Sequence, residues 1–243
     1  HITYRNHVYV TELRNIKGHL EKYEFNVTSA FIQFLKVKAH IDLLSSLKPQ
    51  TGQFDLHLGD NYLAIRVAYL KNKQIESIVL IRLNQQKKDE LNDLFNKSQY
   101  LSVTQLLQKK AGLILFSGTT GSGKTTSLYS CLDYLKDQKI YSIEDPIEVI
   151  KEHVVQLQIN KQVDFGFNEA IKQILRHDPN IIVIGEIRSL EEAQAALSCS
   201  LSGHLVISTI HASSCEITLK RLIDLGCEKE LIYDAILAII YQE

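Results

Sequence analysis

A glycine-rich stretch, FSGTTGSGKTTSLY at residues 116–129, has the residue types and spacing of a phosphate-binding loop. Its central part matches the pattern G-x-x-x-x-G-K-S/T in full. Glycines let successive backbone N–H groups face an anion, and a helix that follows adds the positive end of its dipole. The lysine can reach β- and γ-phosphates, and the threonine hydroxyl can bind Mg²⁺. The sequence therefore predicts a nucleotide site made of Gly118, Thr119, Thr120, Gly121, Ser122, Gly123, Lys124, Thr125 and Thr126.

Acidic side chains follow two other apolar runs, at the point where each run ends. Glu144 follows IYSI at 140–143, and Glu186 follows NIIVIG at 180–185. Ligands bind at the carboxyl ends of strands in open α/β sheets, and a hydrolase needs a group there that orients or deprotonates water. An acid in this position can also stabilise only the first turn of a helix. Two such acids in one domain with a P-loop favour the catalytic interpretation.

Histidines bracket a third apolar run, in SGHLVISTIHAS. His204 precedes the run and His211 follows it, so the two flank one strand. A lone histidine is more often structural, but an imidazole can also contact a γ-phosphate and respond to its loss. Because the two histidines bracket a strand predicted to neighbour the P-loop, we interpret them as functional.

The elements that must position these residues follow two different sequence patterns, one in each half of the chain. Residues 1–84 contain strand-like alternations around one helical segment, which predicts a small α+β domain. Residues 85–100 are polar and highly charged, and we interpret them as a linker that can also form a solvated helix. From residue 101 to residue 243, short apolar runs alternate with helical segments, which is typical of a doubly wound α/β domain with a parallel sheet.

Composition excludes several classes of protein. The 243 residues carry 27 basic and 28 acidic side chains, which argues against a general nucleic-acid binder. None of the four cysteines forms a C-x-x-C pair, so the spacing of a zinc ribbon is missing. No apolar run approaches the ~20 residues that a membrane-spanning helix needs.

Four blocks of the sequence carry a resemblance to a known family. GTTGSGKTTSLY, YSIEDPIE, ILRHDPNIIVIGEIRS and SGHLVISTIHAS resemble, in order and approximate spacing, the Walker A, Asp box, Walker B and His box of the ATPases of type II secretion, type IV pili and competence pseudopili. KVKAHIDLLSSLKPQTG, LAIRVA and VLIRL resemble the PAS-like domain that precedes the RecA-like core of that family. VQLQIN at 155–160 is similar to the assembly and secretion branch, and the chain is most similar in character to the Gram-positive competence ATPase.

The resemblance implies a role for each matching residue. Lys124 and Thr125 would hold ATP phosphates and Mg²⁺, with Glu144 and Glu186 completing the metal site. Glu186 would be the catalytic glutamate, and Glu144 would help to position water. His204 and His211 would both sense the γ-phosphate. The arginines that the N-terminal domain offers to the nucleotide would be Arg66 and Arg82.

The resemblance also implies a function. The family forms hexameric ring motors that hydrolyse ATP at the inner face of the cell membrane and act on an inner-membrane platform protein. We therefore expect a cytoplasmic homo-hexamer that contacts the membrane only through partners and does not bind nucleic acid directly. Family members continue with more helices after the His box, so we expect the core to be C-terminally truncated.

Three positions depart from the family pattern and leave two alternatives open. Thr119 stands where proline is usual, and Asn180 and Ser189 replace aspartates near Glu186. Loss of these acids could weaken hydrolysis, which keeps open a non-catalytic, nucleotide-gated regulator. A RecA-like DNA translocase or helicase on the same core is the other alternative, although the near-neutral charge argues against it.

Overall fold

A computed structural model of the chain describes residues 1–5, 8–14, 19–43, 49–59, 61–72, 74–83, 90–159 and 165–243. The chain divides into two compact units, His1–Gln85 and Gln86–Glu243. Each unit contains one six-stranded sheet, and the two sheets differ in strand direction. In the described residues, no helix is both long and apolar enough to cross a bilayer.

The first unit is an antiparallel sheet with one helix. The strands are β1 (Ile2–Arg5), β2 (Val8–Arg14), β3 (Leu20–Lys22), β4 (Gln50–Leu58), β5 (Asn61–Lys71) and β6 (Glu76–Leu83), and the helix is α1 (Ser29–Lys38). The strand order is β3-β2-β1-β6-β5-β4. Thr28 caps α1 by accepting a hydrogen bond from the Phe31 backbone N–H. Leu35 of α1 is buried in one core with Val67 and Ile78 of the sheet.

The second unit is built on a parallel sheet. Its strands are β7 (Gly112–Gly118), β8 (Ile140–Glu144), β9 (Val154–Gln158), β10 (Ile181–Ile187), β11 (Leu205–His211) and β12 (Ile236–Gln242). The order is β12-β7-β11-β10-β8-β9, and every neighbouring pair is parallel. The apolar run GLILF at 112–116, which precedes the glycine-rich loop, lies in β7, and the three apolar runs named above form β8, β10 and β11.

Helices cover both faces of the parallel sheet. They are α2 (Leu91–Leu94), α3 (Lys97–Leu107), α4 (Lys124–Tyr134), α5 (Phe167–Leu175), α6 (Leu190–Leu201), α7 (Cys215–Asp224) and α8 (Lys229–Ala235). Side chains of the sheet divide between two buried cores, one on each face, and every residue of β7 is buried. Coverage on both faces explains why these strands read as continuous apolar runs. The predicted α/β core preceded by a small α+β domain is confirmed.

Helices α2 and α3 occupy half of the segment 85–100 that the sequence indicates as a linker. Asn96 caps α3 and forms a capping box with Gln99, which fixes the start of that helix. Leu91 is buried in the same core as Leu128 and Leu132 of α4. Residues 90–100 therefore pack within the second unit, while residues 85–89 lie outside the described residues.

Candidate active site

The glycine-rich loop joins the end of β7 to the start of α4. Gly121 has φ 85° and Gly123 has φ 89°, in the region that L-residues with a side chain rarely adopt. Gly123 is the N-cap of α4, and no side chain caps this helix start. The first N–H groups of a helix have no intrahelical partner. The loop therefore presents open backbone donors at the positive end of the α4 dipole.

Close packing fixes glycine at the first position of the loop. A Cβ atom on Gly118 would lie 2.2 Å from the backbone oxygen of Gln242 and 2.5 Å from Ser122 Oγ. Gln242 belongs to β12, which pairs with β7 along this stretch. Its side-chain Nε2 donates a hydrogen bond to Ser127 Oγ of α4 at 2.8 Å. The end of β12 thus packs against both the loop and the helix that follows it.

The Lys124 side chain lies inside the loop. Its Nζ donates hydrogen bonds to the backbone oxygens of Gly118 at 3.0 Å and Thr119 at 2.6 Å. Lys124 is only 6% exposed. Burial lowers the pKa of this lysine, and the charge of Glu186 opposes that shift. A buried cation therefore lies among the open backbone donors.

Glu186 lies at the carboxyl edge of the sheet, where the pairing of β10 with β11 shifts register between Ile184 and Ile187. Its Oε1 lies 2.9 Å from His211 Nε2. Its Oε2 lies 2.7 Å from Arg188 Nε and 2.5 Å from Arg188 Nη2. The other ring nitrogen of His211, Nδ1, is 3.4 Å from the Gly118 backbone oxygen. His211 therefore connects the acid to the first residue of the loop.

Glu144 ends β8 and is held differently. It is 5% exposed and accepts hydrogen bonds from Tyr129 Oη at 2.5 Å, Ser142 Oγ at 2.6 Å and Gln156 Nε2 at 2.9 Å. Burial raises the pKa of Tyr129, and the Glu144 charge raises it further. A Cβ on Gly185 would lie 3.2 Å from Glu144 Cγ, so this glycine leaves room for the acid.

Thr125, Glu144 and Glu186 line one small cavity of about 50 Å³. In the described part of the chain, no group of three or more His, Cys, Asp or Glu is placed to hold a metal ion by itself. Mg²⁺ bound with a nucleotide needs only one or two protein oxygens, because phosphates and water supply the rest. A hydroxyl and two carboxylates beside the loop fit that requirement.

The structure does not bring His204 together with the other candidates. Pairing of β11 with β7 runs from Leu205 opposite Gly112 to His211 opposite Gly118. His204 precedes the first of these pairs, so it lies at the amino edge of the sheet, about 20 Å from His211 along the strand. There it lines a polar cleft of about 750 Å³. The expectation that both histidines sense one phosphate is corrected: His211 alone lies at the loop.

The two family departures from aspartate also have structural explanations. Asn180 precedes β10 and lines the same cleft as His204, and its Oδ1 accepts a hydrogen bond from the Lys139 backbone N–H at 2.9 Å. Ser189 is the N-cap of α6 and forms a capping box with Glu192. Asn180 is remote from Glu186, and Ser189 supplies the cap that an aspartate would also supply.

Arg66 and Arg82 belong to the first unit, on the neighbouring strands β5 and β6. The register pairs Arg66 with Ile81 and Ile65 with Arg82. Directly paired residues share a face of the sheet, and successive residues of a strand alternate between faces. The two arginines therefore project from opposite faces of the sheet.

Four residues that contact Glu186 or Glu144 had no role in the interpretation of the sequence: Arg188, Ser142, Tyr129 and Gln156. Ser142 could have been found, because it lies two residues before Glu144 on the same strand. Arg188 could have been found, because it is two residues after Glu186 and so projects to the same side of the strand end. Tyr129 and Gln156 gave no such signal. They reach Glu144 only because α4 and β9 pack beside β8.

The chain matches the protein family described as "Type II/IV secretion system protein" over residues 1–243. It is 36% identical over 220 residues to type II secretion system protein E of Aeromonas hydrophila, a match that covers 89% of this chain and 44% of that protein. It is 34% identical over 245 residues to type II secretion system protein E of Klebsiella pneumoniae, covering 99% of this chain and 49% of that protein. The chain thus spans about half the length of these relatives.

Solved structures share the fold over the whole chain. The pilus retraction motor PilT, with bound ADP, superposes with a TM-score of 0.70 at 25% identity, covering 100% of this chain and 73% of that one. The ATPase DotB of Legionella pneumophila superposes with a TM-score of 0.71 at 23% identity, covering 100% of this chain and 71% of that one.

Proposed function

Because the chain belongs to the type II/IV secretion system protein family, as its motifs predicted, we propose that it is an ATP-hydrolysing ring motor. The motor would power assembly of a pseudopilus or of a secretion or DNA-uptake apparatus. The observation that carries the proposal is the meeting of the P-loop, Glu144, Glu186 and His211 at the carboxyl edge of one parallel sheet. The names of the relatives, and the ADP in the PilT structure, support nucleotide use and a secretion or pilus role.

The loop fits the triphosphate of ATP in three respects. The α4 start has open N–H donors, the Lys124 ammonium is desolvated within the loop, and Ser122 Oγ is a buried polar atom without a hydrogen-bond partner. Backbone donors and a lysine are the groups that hold β- and γ-phosphates in P-loop proteins. We therefore assign residues 118–126 to nucleotide binding.

Thr125, Glu144 and Glu186 are the residues that would hold Mg²⁺, directly or through water. The ion would neutralise charge on the phosphates and so favour phosphoryl transfer. Because Glu144 already accepts three hydrogen bonds, its orientation is fixed and it is suited to hold a ligand in one place.

We assign Glu186 as the carboxylate that orients water and accepts its proton. His211 and Arg188 hold the two oxygens of this acid. The Arg188 side chain is 58% exposed, so it can leave the carboxylate without disrupting the core. His211 touches both the acid and the loop, and so is the residue placed to relate the state of the phosphate site to Glu186.

Arg66 and Arg82 are proposed contacts of the first unit to nucleotide phosphates. Because they project from opposite faces of their sheet, we expect a nucleotide held against one face to contact only one of them. An arginine that reaches a transferring phosphate can contribute ~10³–10⁵ in rate. Phosphate release measured for Arg66→Ala and for Arg82→Ala separately would identify that residue, because only the variant that removes it should lose activity.

The remaining parts of the proposal concern the assembly. The chain would work as a homo-hexamer at the inner face of the cell membrane, in the cytoplasm, and would act on an inner-membrane platform protein. ATP binding would favour a closed arrangement of the two units and hydrolysis would release it, because a ligand shifts such an equilibrium only through differential contacts. Membership of the competence branch stays a prediction from VQLQIN and the general character of the chain.

Phosphate release with saturating Mg-ATP tests the catalytic part. The wild type should hydrolyse ATP. Glu186→Gln should lower that rate at least about 100-fold while still binding ATP, because it removes the general base. Equal rates for the two proteins would contradict the motor and favour a nucleotide-gated regulator. Turnover that single- or double-stranded DNA accelerates, with salt-sensitive binding, would instead support a DNA translocase.

Light scattering after size exclusion tests the ring. We expect the assembly state to rise to a hexamer with a non-hydrolysable ATP analogue at high protein concentration. A chain that stays monomeric with and without the analogue would contradict the ring mechanism for this polypeptide.

A further inference from the structure

A buried hydrogen-bond cluster surrounds Glu144 and joins three elements of the second unit. Tyr129 comes from α4, Ser142 from β8 and Gln156 from β9, and each donates to the carboxylate. Ser142 and Gln156 share Oε1, and Tyr129 donates to Oε2. All three donors are neutral, in contrast to the cationic Arg188 that holds Glu186.

We propose that Tyr129, Ser142 and Gln156 are positioning residues for ATP hydrolysis, which act by holding Glu144 in one orientation at the cavity beside the P-loop. The inference rests on the proposed function. Tyr129 lines the same cavity as Glu144, but its hydroxyl donates to Glu144 Oε2, so we assign its effect to that contact and test the assignment below.

The number of acceptor positions explains why the orientation matters. A carboxylate offers about four lone-pair sites, and three of them are occupied by the three donors. About one site, on Oε2, is left for a metal-bound or attacking water. Because Glu144 shares its cavity with Thr125 and Glu186, a rotation of the carboxylate would move that remaining site relative to both.

Besides its hydrogen bond to Glu144, Tyr129 has a contact between its ring and a lysine. It is 2% exposed, and Lys151 Nζ lies 5.6 Å from the centre of its ring. Lys151 in turn donates to Asp133 Oδ2 at 2.6 Å. This ion pair keeps the lysine over the ring, so the tyrosine hydroxyl is directed to Glu144 by packing as well as by its hydrogen bond.

Gln156 also forms hydrogen bonds with the backbone of the loop before β9, which makes it less suitable for substitution. Its Nε2 also donates to the Val149 backbone oxygen at 2.9 Å, and its Oε1 accepts from the Lys151 backbone N–H at 2.7 Å. A Gln156 variant would therefore disturb the loop before β9 as well as Glu144. Tyr129→Phe and Ser142→Ala each remove one hydroxyl. The Tyr129 hydroxyl also accepts a backbone hydrogen bond from Val149, so both variants are measured.

The experiment measures kcat and KM for ATP, by phosphate release, for the wild type and Tyr129→Phe. The matched control is Tyr134→Phe, a change in the exposed ring at the last residue of the same helix. We expect Tyr129→Phe to lower kcat about 10-fold with KM changed less than twofold, because the P-loop contacts are untouched. Tyr134→Phe should leave both constants unchanged within twofold.

A double-mutant cycle separates positioning from general damage to the fold. In a Glu144→Gln background, Tyr129→Phe should lower kcat less than twofold further, because the residue through which it acts is already altered. Full 10-fold losses in both backgrounds would overturn the inference. If Tyr129→Phe does not fold, Ser142→Ala takes its place with the same expected pattern.

The failure of this inference and the failure of the proposed function have different signatures. If the wild type hydrolyses ATP and both Tyr129→Phe and Ser142→Ala leave its rate unchanged, only the inference is overturned. A wild type that binds ATP without releasing phosphate overturns the proposed function, and the inference with it.

Discussion

The two ends of the parallel sheet carry similar residue types but differ in what those residues contact. At the carboxyl edge, His211 contacts both Glu186 and Gly118. At the amino edge, His204 contacts Ser202 of the preceding turn, and its backbone pairs with Gly112. A histidine before a strand and a histidine after it therefore lie about 20 Å apart, in different chemical surroundings.

This difference shows what parallel topology contributes to the site. All six strands point the same way, so the residues that follow them collect at one edge, together with the start of α4. The residues that precede them collect at the other edge, where Lys109 and Asp178 line the polar cleft with His204. The proposed chemistry belongs to the first edge, and the following variants test that assignment.

The largest expected difference between the two edges concerns lysines. Lys124→Ala should lower the affinity for Mg-ATP about 100-fold, because it removes a desolvated cation from the phosphate loop. Lys110→Ala, at the amino-edge cleft, should change the affinity less than twofold. Isothermal titration calorimetry with a non-hydrolysable analogue measures both. Comparable losses for the two variants would remove the distinction between the edges.

Glycines at the two edges should differ in stability. An alanine at Gly118 would meet the Gln242 backbone oxygen, whereas an alanine at Gly203, with φ 103°, would meet open space. We expect Gly118→Ala to lower the free energy of unfolding by about 3 kcal/mol, from clash and backbone strain together, and Gly203→Ala by about 1 kcal/mol from strain alone. Urea denaturation followed by circular dichroism compares them, and equal losses would contradict the packing of β12 on the loop.

The histidine before β11 and the histidine at its end extend the comparison. His211→Ala should lower ATP turnover about 10-fold, because Glu186 loses one of the groups that hold it. His204→Ala should stay within twofold of the wild type. Steady-state phosphate release is the assay. A greater loss for His204→Ala than for His211→Ala would mean that the amino edge takes part in turnover.

The smallest effect is expected at Asn180. Asn180→Asp restores the residue that is usual in the family and keeps an acceptor for the Lys139 backbone N–H. Because the position lies at the amino edge, turnover should change less than twofold. A rise of 10-fold or more in the same phosphate-release assay would show that the acid acts on Glu186 over the length of β10.

Much of the second unit could be predicted from its sequence. Buried parallel strands read as apolar runs, and the P-loop pattern marks one strand-to-helix turn by itself. The sequence could also have shown that His204 and His211 do not reach the same phosphate. A residue that precedes a parallel strand must lie at the opposite edge of the sheet from one that follows it. The pattern located both histidines, but the interpretation did not use the direction of the strand.

Other features of the site depend on how helices and strands pack and pair, which the pattern of apolar residues and motifs does not contain. The three donors to Glu144 come from separate elements, so only the packing of α4 and β9 beside β8 brings them together. The opposite faces of Arg66 and Arg82 depend on the register of β5 with β6. A change of one residue in that register would place them on the same face.

A crystal structure with Mg²⁺ and a non-hydrolysable ATP analogue tests the central claim most directly. The account predicts that the triphosphate contacts the backbone N–H groups between Gly118 and Thr126 and the Lys124 ammonium. It also predicts that Glu144, Glu186 and His211 surround the terminal phosphate. A triphosphate bound at the amino-edge cleft, or one at the loop with Glu186 turned away from it, would contradict the account.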